Sequence, residues 1–93
     1  MKVVFIHSRH AGATRKAMVS DQAAKVVDII GRDSSITRLT AMHYGIANVT
    51  ARIAELRNAG IQVLCENKVD ATGKRYGRWT LPSGDQAATF AVI

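Results

Sequence analysis

The chain has 93 residues, 47% of them apolar, which is enough for one small domain whose core is marginal by itself. Thirteen lysines and arginines against seven aspartates and glutamates leave a net charge of +6, a balance that favours a polyanionic partner such as nucleic acid, or an acidic surface, over a merely basic exterior. A lone cysteine excludes an intramolecular disulfide, no apolar run reaches the ~18 residues of a membrane span, and the run from Val3 to Ile6 is too short for a signal peptide, so a cytoplasmic protein is expected.

"KVVFIHS", from Lys2, suits a short strand by its β-branched and aromatic side chains. "RHAGATRKAMV" is basic and alanine-rich, with Gly12 as a breaker, and reads either as a flexible arm or as a frayed helix start. Lys2, Arg9, Arg15 and Lys16 all precede the first acid, Asp21, so this segment either lies along a nucleic-acid backbone as a basic arm or is a basic disordered lead. Ser20 is placed as an N-cap, with Asp21 suited to the helix dipole. The helix that follows sets Ala23, Val27 and Ile30 on one side, flanked by Ala24 and Val26, and stops at Gly31. The polar link "RDSSIT" buries Ile36. Thr37 caps a short second helix, "RLTAMHY", on which Leu39 and Met42 share a face and which ends at Gly45. Asn48 opens a third helix whose Val49, Ile53 and Leu56 form one stripe at helical spacing, ending at Gly60. In the strand "IQVLCENKV", Ile61, Val63 and Cys65 alternate with Gln62, Leu64 and Glu66. "DATGKR" is a turn with Gly73 available for a positive φ, "YGRWTL" is the return strand, and Pro82 ends it. The tail "SGDQAATFAVI" starts polar and finishes apolar. The chain thus reads as α+β: a strand and basic arm over 1–19, three helices and a hairpin over 20–82, and a tail over 83–93.

Two helices joined through a single glycine, the second followed at once by a hairpin with a basic tip, match helix-turn-helix spacing. From about Ser20 to Leu81 the chain resembles winged helix-turn-helix DNA-binding domains. In "NVTARIAELRNAGIQV" a valine is followed by an isoleucine four residues on, a leucine three further, and Gly60 before the hairpin; "GKRYGRWTL" completes the likeness. Its arginine-isoleucine, leucine-arginine and glycine-lysine-arginine-tyrosine steps are similar to small helix-turn-helix proteins of bacteriophage and prophage origin. The resemblance implies a winged helix-turn-helix of three helices and a C-terminal β-hairpin wing, with short terminal strands. It also implies sequence-specific binding of double-stranded DNA by a regulator of transcription, or of phage excision or replication, in the cytoplasm of a bacterial host.

The physical reading agrees. A recognition helix buries one face in its own domain and offers the other to the major groove. At 100° steps Ala51, Ala54, Glu55, Asn48 and Asn58 lie opposite the buried stripe, with Thr50 and Arg52 on its flanks. Short Ala51 and Ala54 let the helix backbone approach the groove floor. Asn48 suits adenine, Arg52 suits guanine or a phosphate, and Thr50 suits a phosphate or a thymine methyl. Glu55 either accepts from cytosine or holds Arg52 or Arg57 in place. Thr37 and Arg38 join this set from the start of the second helix. In the hairpin, Lys68, Lys74, Arg75 and Arg78 are candidates for phosphates or a minor groove. The plainer alternatives are a solvated helix face and charges that protect an exposed sheet edge. The apolar strands at the two ends either pair with each other or pair across the axis of a homodimer. Glu55, unfavourable beside phosphates, carries the runner-up function: a winged helix used as a protein-interaction module, inhibiting or adapting a host or phage protein.

Other chemistry finds no support in the sequence. His7 and His10 are three apart, with His43 and Cys65 remote, so a metal site is not expected. Ser34, Ser35 and Ser83 lack a nucleophile setting, and "GATRKAM" lacks the second glycine of a phosphate loop. Cys65 reads as a small inward-looking core residue. Trp79, with Leu81, reads as core, and Tyr76 as either core or a stacking platform. Neither a cofactor nor enzymatic activity is expected.

Overall fold

In the computed structural model, which describes residues 1–8, 12–82 and 85–91, each helix begins where a short polar side chain caps it. Ser20 accepts from Ala23 N–H at the head of α1 (Asp21–Asp33), Thr37 from Thr40 at α2 (Arg38–His43), and Asn48 from Ala51 at α3 (Val49–Asn58). The second and third helices also end alike. Gly45 (φ +73°) and Gly60 (φ +91°) take the left-handed conformation that a side chain would strain. The next residue then bonds back across the last turn, Ile46 N–H to Ala41 C=O at 2.9 Å and Ile61 N–H to Leu56 C=O at 3.0 Å. Both isoleucines are buried beneath these turns. The first helix departs from expectation. It runs through Gly31 to Asp33, and Ser34 (φ 71°) makes the left-handed stop instead, just where the chain must reverse to bury Ile36.

The strands are β1 (Lys2–Ser8), β2 (Ala13–Val19), β3 (Ile36–Thr37), β4 (Leu64–Val69), β5 (Arg75–Thr80) and β6 (Asp85–Ala91). They form two antiparallel sheets, ordered β2-β1-β6 and β3-β5-β4. In the first, Val4 stands opposite both Ala17 and Thr89; in the second, Trp79 stands opposite both Ile36 and Cys65. The two end strands therefore pair with each other within one chain. The stretch expected as a flexible arm or frayed helix start is β2. Its alanines and cations have little β-propensity, but the open edge of β1 completes its hydrogen bonds and Ala17 and Val19 are buried on the shared face. Arg9, His10 and the tail residues 83, 84, 92 and 93 lie outside the described residues.

One apolar cluster joins all layers: Val4, Ile6, Ala17 and Val19 from the first sheet, α1, Ile36, and Ile53 and Leu56 of α3. α1 is its centre. Ala23, Ala24, Val26, Val27, Ile29 and Ile30 are all buried. At 100° per residue they span roughly 220° of the helix, about twice the apolar stripe of a surface helix. The helix needs cover on more than one side, and it packs against β1, β6, β3 and α3.

One apolar residue sits elsewhere than expected, and two more that share a face of α2 are exposed. Cys65 is exposed, because the hairpin runs beyond the core and only Trp79 and Leu81 of its return arm pack against it. Leu39 and Met42 are 67% and 66% exposed, the small Ala41 being the residue α2 buries. No helix among the described residues is long and apolar enough to cross a membrane.

Candidate nucleic-acid interface

Helix α3 has one face in the core and one outside. Val49, Ile53 and Leu56 are almost fully buried, whereas Thr50, Ala54 and Asn58 are exposed and Ala51 is half-buried. Asn48 caps from a left-handed conformation (φ 52°), its Oδ1 accepting from Ala51 N–H at 3.4 Å. That leaves its amide nitrogen without a partner among the described residues. Arg38, Met42, Asn48 and Thr50 line a groove of about 270 Å³ at this end of the helix. Arg38 also lines a second groove with Arg75 and Trp79, so one cation links the head of α3 to the hairpin. Thr37 keeps its hydroxyl in the cap, accepting from Thr40 N–H at 3.2 Å and sharing a 3.0 Å hydrogen bond with the Thr40 hydroxyl.

Glu55 is turned toward α1. Its Oε2 accepts from Ser20 N–H at 2.7 Å and its Oε1 from the Ser20 hydroxyl at 2.8 Å. In a capping box the third residue of a helix reaches back to the N–H of its own N-cap. That residue in α1 is Ala23, which has nothing to offer, and Glu55 supplies the acceptor from 35 positions along the chain. Partial burial pushes the Glu55 carboxyl up, but the two Ser20 hydrogen bonds and the Arg52 charge outweigh it and hold the group below the usual glutamate value. Arg52 Nη1 lies 3.3 Å from Glu55 Oε1, folding the arginine along its own helix, with its Nε buried and unpaired.

Other cations are also held internally. Arg57 donates twice to Val63 C=O, at 3.2 and 2.9 Å, and Arg15 of β2 donates to Gly60 C=O at 3.0 Å, so two guanidiniums secure the exit from α3. On the hairpin, Glu66 pairs with Arg78 at 2.8 Å and Lys68 at 3.3 Å. The Arg78 hydrogen bond, then that of Lys68, holds the Glu66 carboxyl below its usual range. Asp70 Oδ1 accepts from Thr72 Oγ1 at 2.6 Å, Thr72 N–H at 2.8 Å and Lys74 N–H at 2.9 Å, stiffening the turn in which Gly73 has φ +86°. The Thr72 hydroxyl is the main reason that the Asp70 carboxyl is held low.

The structure therefore sorts the candidate residues. Arg52, Glu55, Lys68 and Arg78 have partners inside the fold, while the side chains of Arg38, Lys74 and Arg75 have none among the described residues. Ser20 and Arg57 shape the site without having been candidates, and Arg15, read from sequence as part of a basic arm, is tied to Gly60 C=O; the Ser20 N-cap was the only one of these roles visible in local sequence. Among the described residues no group of three or more His, Cys, Asp or Glu side chains converges as metal ligands would. A family model described as a winged helix-turn-helix domain matches residues 21–83. No curated protein and no solved structure matches the chain.

Proposed function

The chain belongs to the winged helix-turn-helix family, and from that premise we propose that it binds double-stranded DNA, with the outer face of α3 in the major groove and the β4–β5 hairpin as the wing. The observation that carries this reading is the continuous row from Thr50 and Asn48 through Arg38 to Arg75, with Lys74 at the hairpin tip. Its three cations have no partner among the described residues, so they enter a complex without breaking an ion pair there. Phosphate contacts from these cations supply most of the affinity, and Asn48, Thr50 and Ala51 supply the choice of sequence. Glu55 acts as a positioning residue for α3, and Arg52 reaches DNA by leaving Glu55. The role that fits is a small phage-type regulator of transcription, excision or replication in the bacterial cytoplasm.

The test is a gel shift against random genomic fragments at two salt concentrations. Binding should weaken steeply with salt, and Lys74→Ala should reduce the slope of log affinity on log salt by about 1 while acting on all sequences alike. Thr50→Ala removes no internal hydrogen bond, so it should relax sequence preference and leave that slope unchanged. An affinity indifferent to salt counts decisively against DNA.

A second reading, a protein-interaction module that inhibits or adapts a host protein, loses the support of Glu55, whose carboxylate faces Ser20. It retains the exposed Leu39 and Met42 of α2, and predicts no salt-sensitive DNA complex. A homodimer would form through the outer edges of β2 and β6, since β1 and β6 already pair within the chain.

A further inference from the structure

Helix α2 and the hairpin meet across an open groove of about 430 Å³. The period-two alternation of β5 places Arg75, Gly77 and Trp79 on one face. Pairing of β3 with β5 sets Ile36 against Trp79 and Thr37 against Arg78, so the next residue, Arg38, comes up beside Gly77. Arg38, Arg75, Tyr76, Gly77 and Trp79 line the groove, and no acidic side chain is among them. Asp70 borders a neighbouring groove, but its Oδ1 is already engaged by the hairpin turn. Two arginines from different elements thus line one recess that has no acidic residue in its lining. Gly77 keeps its floor low, and a Cβ there would meet only Cys65 Sγ at an ordinary 3.7 Å. Trp79 forms a half-buried wall backed by the core.

Two arginines lining one groove beside an apolar wall suit a phosphodiester, whose two non-bridging oxygens accept charge-assisted hydrogen bonds and whose sugar is largely apolar. We propose that this groove clamps one phosphodiester of a duplex DNA strand between Arg38 and Arg75, with the adjoining deoxyribose resting on Trp79. The inference rests on the DNA-binding reading and adds to it a specific joint. One phosphate, held from both sides, sets the angle between the helix pair and the hairpin on the DNA.

Trp79 is the single tryptophan of the chain, so its emission reports from the groove itself. The full-length chain is titrated with a short duplex and with one of its strands alone, following both emission and gel mobility. The duplex should change Trp79 emission and bind more tightly than the strand. Arg38→Ala and Arg75→Ala should each weaken duplex binding roughly tenfold, as expected for a lost charge-assisted hydrogen bond. The double variant should weaken it by far less than the product of the two, because both arginines act on one phosphate. Gly77→Val removes no charge but fills the recess; it should weaken binding comparably and abolish the emission change. Among the described residues the side chains of Arg38 and Arg75 make no hydrogen bond, and circular dichroism spectra of all variants should overlay that of the parent.

Additive losses in the double variant, or parental binding by Gly77→Val, overturn the clamp. An equal emission response to the single strand assigns the groove to unpaired nucleic acid and overturns the duplex clamp. If the parent forms no duplex complex at all, the DNA-binding reading itself fails. If parent and variants bind the duplex alike, only the clamp does.

Discussion

A fragment comprising residues 20–82, the three helices and the hairpin alone, loses its cooperative thermal transition. The reason lies in α1, whose buried arc is covered from both the α3 side and the β1–β6 side. Removing the first sheet takes away Val4, Ile6, Ala17 and Val19, all buried against the same cluster as Ile53 and Leu56. Each buried valine or isoleucine contributes about 1.5–3 kcal/mol. Three of them, with the α1 surface they leave wet, are comparable to the ~5–15 kcal/mol by which a small domain is stable at all. Circular dichroism melting of the fragment beside the full chain measures this, with dye binding to exposed apolar surface as the second readout. A sharp transition in the fragment at the temperature of the full chain would show that the sheet is an appendage and not a wall of the core.

Glu55→Ala lowers stability by about 1–3 kcal/mol, the cost of leaving a partly buried backbone donor at Ser20 unsatisfied. Glu55→Gln costs less, since an amide oxygen still accepts from Ser20 while the attraction to Arg52 is lost. The two variants separate further with pH. The folded-state pKa of Glu55 is depressed, so its stabilisation is fully present above the ordinary glutamate value of about 4.3 and is lost as pH falls through the lower folded value. The parent should therefore lose more stability between neutral pH and about pH 3 than Glu55→Gln does. Parallel urea midpoints for the two proteins over that range would remove Glu55 from the acid response. DNA affinity of Glu55→Gln should fall modestly, through a looser α3, without a change in sequence preference.

What could be read in the sequence was local. Ser20, Thr37 and Asn48 cap the helices they precede, and each Gly-Ile pair, Gly45-Ile46 and Gly60-Ile61, closes a helix by bonds that span only a few residues. The inward stripe of α3 needed nothing but its own period. β2 was hidden, because "ATRKAMV" becomes a strand only through its register with β1. The broad apolar arc of α1 was visible, but what covered it depended on two segments at opposite ends of the chain. The candidate site shows the same division. Its positions could be named from spacing, whereas which cations are free could not. Arg78 meets Glu66 only through the hairpin register, and Glu55 meets Ser20 only once α3 is folded against α1. Cys65 was misplaced for a related reason: alternation along a strand identifies its two faces but not how far the core extends beneath them.

The matching glycine-isoleucine closures of α2 and α3 have an evolutionary consequence. The chain enters and leaves α3 through backbone bonds and buried isoleucines, and the internal ties of the helix fall on Arg52, Glu55 and Arg57. Thr50, Ala54 and Asn58 belong to neither set. Substitution there is nearly neutral for folding, and Thr50 is also among the positions proposed to choose sequence, so on that proposal the choice can drift over an unchanged frame. The helix then behaves as a replaceable cassette, and a library varied at Thr50 should keep most of its members folded while its targets change.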